Sequence, residues 1–208
     1  MNQIKALLSI VIPFFLLVFF QTCNSQTSDN PIYLGQKNES FNLDQVTFKE
    51  NAETLFSKIP HVKIEKKMDA GKTFYIYRVK VADQKDILFN YYNISEGDVE
   101  VFANQNNEII LFSGMKQVKK EVAQKFMEKL KGQYKKQEIA GKQNQFIDDA
   151  FTAVSGNKLI HVTMTCFKDG DLKGTCNVIY NIYKYPQKDS EAIRLMTPNV
   201  EVENLLKK

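Results

Sequence analysis

The chain has no tryptophan, two histidines, three cysteines, five prolines and nine glycines in 208 residues. Each scarcity removes a class of explanation. With only His61 and His161 there is little material for a histidine-based triad or a zinc site. No Gly-x-Ser-x-Gly elbow, His-Glu-x-x-His pair, phosphate loop or dinucleotide fingerprint occurs anywhere. No catalytic residue, metal ligand or cofactor-binding residue is therefore expected, and an enzyme is not.

Apart from one stretch near the amino terminus, the composition is that of an ordinary globular chain: 43% hydrophobic and 25% charged, with 15 Phe and 9 Tyr. The formal charge of +4 conceals a patchwork. Residues 91 to 115 hold four acids and no base, whereas residues 116 to 136 hold eight lysines against Glu121 and Glu128. Such a basic stretch suits nucleic acid, an anionic membrane surface or plain solvent.

The exception is the first two dozen residues. Lys5 precedes an apolar run from Ala6 to Phe20, broken only by Ser9 and Pro13. That pattern is the charged n-region and hydrophobic h-region of an export signal. Fifteen residues at a helical rise of about 1.5 Å reach about 22 Å, short of a hydrocarbon core of about 30 Å. A permanent transmembrane helix is the poorer reading.

Phe20-Gln21-Thr22-Cys23 closes the run, and the polar segment Asn24-Ser25-Gln26-Thr27-Ser28-Asp29-Asn30-Pro31 follows. This arrangement resembles the signal of bacterial lipoproteins. Gln21 departs from the small residues that family prefers before its cysteine. The resemblance implies transfer of diacylglycerol to the Cys23 thiol, cleavage before Cys23, acylation of the new amine with palmitate-type chains, and residence in the cell envelope. The expected segments are a signal peptide over 1–22, a flexible tether over 23–40 and one α+β domain over 41–208. The localisation expected is a periplasm-facing lipoprotein, on the outer membrane rather than the inner. Plain secretion with cleavage after Ser25 and an uncleaved anchor are the alternatives. Export takes nucleic acid out of reach, leaving the membrane and another envelope protein as partners.

Lipidation of Cys23 leaves Cys166 and Cys176 as an even pair in a compartment that permits disulfides. Leu159 to Cys166 alternates, with Ile160, Val162, Met164 and Cys166 on one face; Cys176 to Ile182 does likewise. Between them, Asp169-Gly170-Asp171 and Gly174 signal a turn rather than a calcium loop, whose other oxygen ligands are missing. A hairpin centred on Asp171 pairs Met164 with Val178, Val162 with Tyr180 and Ile160 with Ile182. The same register sets Cys166 opposite Cys176. A disulfide is expected there, and His161 falls on the opposite strand face.

Elsewhere, Thr47-Phe48-Lys49-Glu50 fits a capping box that starts a helix running through Phe48, Ala52, Leu55, Phe56 and Ile59 to Pro60. Short strands follow near 62–68, 73–81, 87–94, 99–103 and 109–112, then a second helix over Gln117 to Tyr134. Strands near 145–154 and the cysteine hairpin complete the pattern, and the stretch from Ser190 reads as peripheral. The fold class expected is an antiparallel sheet, meander plus C-terminal hairpin, with two amphipathic helices on one face. The order also hints at two similar halves, about 47–115 and 116–190.

Two weaker features remain. Asp148-Asp149 suggests an acid pair, though adjacent carboxylates are ordinarily solvated. Tyr75, Tyr77, Tyr91, Tyr92, Tyr180, Tyr183 and Tyr185 offer aromatic platforms or simply good strand material. The leading expectation is a membrane-anchored, non-catalytic binding or assembly module, possible in an immunity- or inhibitor-type form. A carboxylate-based hydrolase and a small-ligand carrier are the alternatives.

Overall fold

The structure is a computed structural model that describes residues 41–42, 46–57, 61–80, 87–89, 92–93, 98–134, 147–197 and 200–208, all within Ile32–Lys208. The segments expected to be an export signal and a tether lie outside the described residues with Cys23, as do Ile59 and Pro60 at the expected end of the first helix. Among the described residues no helix is long and apolar enough to cross a membrane.

The elements in chain order are β1 (Phe41–Asn42), α1 (Ala52–Phe56), β2 (Val62–Lys67), β3 (Thr73–Lys80), β4 (Ile87–Phe89) and β5 (Tyr92–Asn93). Then come β6 (Asp98–Ala103), β7 (Ile109–Lys119), α2 (Lys120–Gln133), β8 (Asp149–Ser155), β9 (Lys158–Cys166) and β10 (Thr175–Lys184). Two helices, α3 (Ser190–Met196) and α4 (Val200–Leu206), end the chain. Seven strands form one sheet in the order β2-β3-β6-β7-β10-β9-β8, every pair antiparallel. A smaller sheet joins β1, β4 and β5. The fold is thus a β-rich α+β fold.

The strand order has a simple logic. A meander of β2, β3, β6 and β7 follows α1, and a second meander of β8, β9 and β10 follows α2. They run in opposite directions across the sheet and meet at β7 and β10, the two long central strands.

Apolar residues on alternate strand positions sort into two clusters. On the first face Tyr77, Val101, Phe112, Tyr180, Val162 and Phe151 pack with Leu55 and Phe56 of α1 and Ala123, Phe126, Met127 and Leu130 of α2. Phe56 stacks on Tyr77 at a centroid distance of 5.1 Å. On the second face Phe74, Leu111, Leu159 and Tyr183 meet Ala192, Ile193 and Met196 of α3 and Val202 and Leu206 of α4. The stretch from Ser190 is therefore core, not peripheral. Its helices are too short for a long amphipathic stripe to show in sequence.

Both helices expected from the sequence begin later than expected. The Thr47 and Glu50 capping contacts do form, Thr47 N–H donating to Glu50 Oε1 at 2.9 Å, but inside a turn. Phe48 there takes a φ of 60° so that its ring reaches the core against Phe112. Asn51 is the actual N-cap of α1, its side chain accepting from the Thr54 N–H at 3.2 Å. In the second case Gln117, Val118 and Lys119 belong to β7, which pairs with β10 up to Lys119 opposite Thr175. Helix α2 then starts with no loop, the Lys120 N–H donating to Gly174 O at 2.9 Å. The gain of strand pairing outweighs the helical periodicity of those three residues.

Ile109 to Phe112 is apolar without alternation because a bulge sits there. Ala103 pairs with Ile109 and Phe102 with Leu111, so Ile110 is the extra residue. Ile109 and Phe112 face the first cluster, while Ile110 and Leu111 face the second. The run expected near 87–94 divides into β4 and β5, which pair with each other.

Candidate binding face

The cysteine hairpin forms in the expected register: Met164 opposite Val178, Val162 opposite Tyr180, Ile160 opposite Ile182, and Cys166 opposite Cys176, joined by a disulfide. Phe167 N–H donates to Thr175 O at 2.9 Å. The neighbouring cysteine pair is consequently of the non-hydrogen-bonded kind, whose side chains stand closest. Cys176 is buried under the first face, and Gly170 and Gly174 carry the positive φ angles of the turn.

Asp148 and Asp149 do not make an acid pair. Asp148 Oδ2 accepts from the Cys166 N–H at 2.6 Å, steadying the disulfide end of β9. Asp149 Oδ1 accepts from Lys131 Nζ at 2.7 Å, tying α2 to β8. Both carboxylates serve the scaffold. The two histidines are far apart in the topology. His61 precedes edge strand β2 and lies against Phe56 and Tyr77, whereas His161 is on β9.

Of the tyrosines, Tyr77, Tyr180 and Tyr183 are fully buried and offer no platform. Burial pushes the Tyr180 phenol well above its ordinary value; it pushes Tyr183 to about 12, against a lowering hydrogen bond with Thr197. Tyr75 and Tyr185 are half-buried beside the two cores, and Tyr91 lies outside the described residues. On α2, Val122 is exposed, and Lys131 is drawn to Asp149.

What the sequence reading missed is a broad open surface on the second face. Helices α3 and α4 cover its end near the row Phe102, Leu111, Tyr183 and Leu159. The next row, two residues along each strand, is polar from β3 to β8: Arg78, Glu100, Ser113, Asn181, His161 and Thr152 are successive cross-strand neighbours, and Val62 of edge strand β2 lies opposite Arg78. Its members bond in pairs. Arg78 Nε donates to Glu100 Oε1 at 2.7 Å, Ser113 Oγ donates to Asn181 Oδ1 at 2.7 Å, and Thr152 Oγ1 and His161 Nδ1 are 2.9 Å apart. Ser113 is thus turned to Asn181, and the Thr152 hydroxyl that meets His161 belongs to a buried residue. Neither is an activated, accessible nucleophile.

Beyond the polar row the long strands present Met115 opposite Ile179 opposite Thr163, then Gln117 opposite Asn177 opposite Thr165. Met115 is 48% exposed and Ile179 38%. Among the residues whose side chains are described, it carries the internally paired Arg78 and Glu100 and, at its far end, Lys119; Lys80 and Asp98 pair with each other in register on the same face. An isolated exposed apolar side chain is unremarkable, but a directly paired couple set among Ser, Thr, Asn and Gln has the make-up of a contact centre with a polar rim. The signal was present in the sequence as Ser113-x-Met115-x-Gln117 and Asn177-x-Ile179-x-Asn181, an outward-facing period of two on both strands.

No family model, curated protein or solved structure matches the chain.

Proposed function

We propose that this chain is a non-catalytic binding or assembly module of the cell envelope, held at the membrane through an acylated Cys23. In this reading α1 and α2 back one face of the sheet, and the open half of the other face docks another envelope protein. A toxin or enzyme bound by an immunity-type partner is the specific form. The observation that carries the reading is the directly paired Met115 and Ile179, exposed beside a polar row whose members bond to one another and whose charges are balanced. Such a surface buries apolar area at its centre while its Ser113–Asn181 and Thr152–His161 bonds need no rearrangement. Its lack of net charge argues against nucleic acid or anionic lipid as the docked species on this face.

The hydrolase alternative loses its sequence motive, since Asp148 and Asp149 are each committed to a scaffold bond. Affinity capture from intact envelopes, with the amino-terminal segment preserved, tests the proposal. A specific envelope protein should copurify with the native chain and be lost with the double variant Met115→Asp, Ile179→Lys. Equal capture by the folded double variant would defeat the assignment of this face.

A further inference from the structure

The two edges of the seven-stranded sheet differ. Edge strand β8 has Phe151, Thr152 and Ala153 buried, whereas β2 is exposed at every residue but Ile64, which is half-buried. Its outward backbone can be read from its inward ladder. Met68 N–H donates to Lys72 O at 2.9 Å, which makes that pair hydrogen-bonded. Alternation along the register then makes Lys66–Phe74, Ile64–Ile76 and Val62–Arg78 the bonded pairs with β3. Lys63, Glu65 and Lys67 consequently turn their N–H and C=O groups away from the sheet, giving a template for another strand.

Lysine on an edge ordinarily discourages pairing. Here lysine alternates with Glu65 along the outward positions, and that pattern is complementary to itself. We infer that β2 pairs antiparallel with β2 of a second copy, Lys63 opposite the partner's Glu65 and Glu65 opposite the partner's Lys63, so that two sheets join into one. The register is selected by charge. Setting Glu65 opposite the partner's Glu65 also opposes Lys63 to Lys67, and like charges directly across strands are destabilising. Setting Glu65 opposite the partner's Lys67 puts Lys66 against Lys66. Only the Lys63–Glu65 register opposes no like charges, and it places Ile64 against Ile64 and the exposed Val62 against the stem of Lys66. Lys63 is already held by Glu53 at 2.6 Å and over the Tyr75 ring at 4.0 Å, so its ammonium is positioned before the partner arrives. A six-residue edge is a small interface, so the dimer is weak in solution and gains from confinement to a membrane surface.

Sedimentation of the full chain in detergent, from about 1 μM to about 1 mM, reads the equilibrium. The native chain should dimerise within that range. Glu65→Lys should weaken the dimer by roughly tenfold or more, and Glu65→Pro, which removes an outward N–H while sparing the β2–β3 ladder, should abolish it. Register is read separately under oxidising conditions: Ile64→Cys should give a disulfide-linked dimer, and Lys66→Cys should not. A native chain monomeric throughout, or a dimer indifferent to Glu65→Pro, overturns the inference, as does equal cross-linking at positions 64 and 66.

Discussion

The ring of Tyr180 lies across the backbone of Gly114, its partner residue on the neighbouring strand, so closely that a Cβ at position 114 would fall inside the phenol. Tyr180 is buried and central to the first core, and it occupies the space that any other residue at 114 would need. Gly114→Ala should therefore destabilise the domain by about 3 kcal/mol, at the upper end of overpacking costs, because the obstacle is a packed ring. Urea unfolding measures it. Adding Tyr180→Leu should recover part of the loss; strict additivity of the two changes would refute the direct clash.

The disulfide closes a short loop, Cys166 and Cys176 being ten residues apart. Chain-entropy arguments give a stabilisation of about 2–3 kcal/mol for such a loop. The double variant Cys166→Ser, Cys176→Ser should lose that amount in urea unfolding. The native chain with reductant should match it, and the hairpin register should persist, since the Met164–Val178 and Val162–Tyr180 contacts do not depend on sulfur.

Alkaline pH should unfold the protein through its buried phenols. Tyr183 has its folded value raised to about 12 by burial from the ordinary 10.0, and Tyr180 is raised further. A folded-state value above the unfolded one leaves stability unaffected below pH 10 and erodes it as pH rises from there through 12. For Tyr183 the loss is roughly 2 kcal/mol by pH 12. Tyr183→Phe should flatten that part of the stability–pH curve, and an unchanged slope between pH 10 and 12 would show that Tyr183 does not carry it.

A clamp holds the β2–β3 turn to the start of α3. Lys72 Nζ donates to Asp189 Oδ2 at 2.9 Å, the Ala70 N–H donates to Glu191 Oε1 at 3.0 Å, and Arg194 Nη2 donates to Asp69 Oδ2 at 2.7 Å. Asp189 is also the N-cap of α3, accepting from the N–H groups of Glu191 and Ala192. Burial acts to raise its carboxyl, but the Lys72 and backbone hydrogen bonds outweigh this and hold it below the ordinary value. Its contribution is present above the unfolded carboxylate range and lost as pH falls through the depressed folded value. Asp189→Ala should cost about 1–2 kcal/mol near neutrality and less in acid. A cost independent of pH would show that the carboxylate charge plays no part.

The anchor makes its own prediction. Cys23→Ala should leave an uncleaved precursor or release the chain from the membrane, and fatty-acid labelling should vanish. Under the proposed anchoring, two or more acyl chains at about 0.8 kcal/mol per buried methylene would hold the chain, where the short apolar run would not. Labelling that survives the substitution would remove the lipoprotein reading and leave the fold untouched.

Legibility in the sequence followed the range of the forces. The hairpin was readable in full because its two strands are separated only by a Gly-rich turn, so one register satisfied the apolar faces and both thiols. The helix starts were misplaced because the competing partners are remote: Phe48 answers to Phe112, and Gln117 to Lys119 answer to β10. The open face was hidden for the same reason, since Ser113, Asn181 and His161 become neighbours only once the two meanders join at β7 and β10.

By itself the sequence determined the alternation of β9 and β10 and the pairing of Cys166 with Cys176, matters of local periodicity and a short loop. The tertiary structure alone decided which strand faces are covered, that the carboxyl-terminal helices are core, and that β2 is the exposed edge. Those outcomes turn on contacts between residues tens of positions apart, whose energies depend on sheet order, and sheet order leaves no mark on the spacing within any one segment.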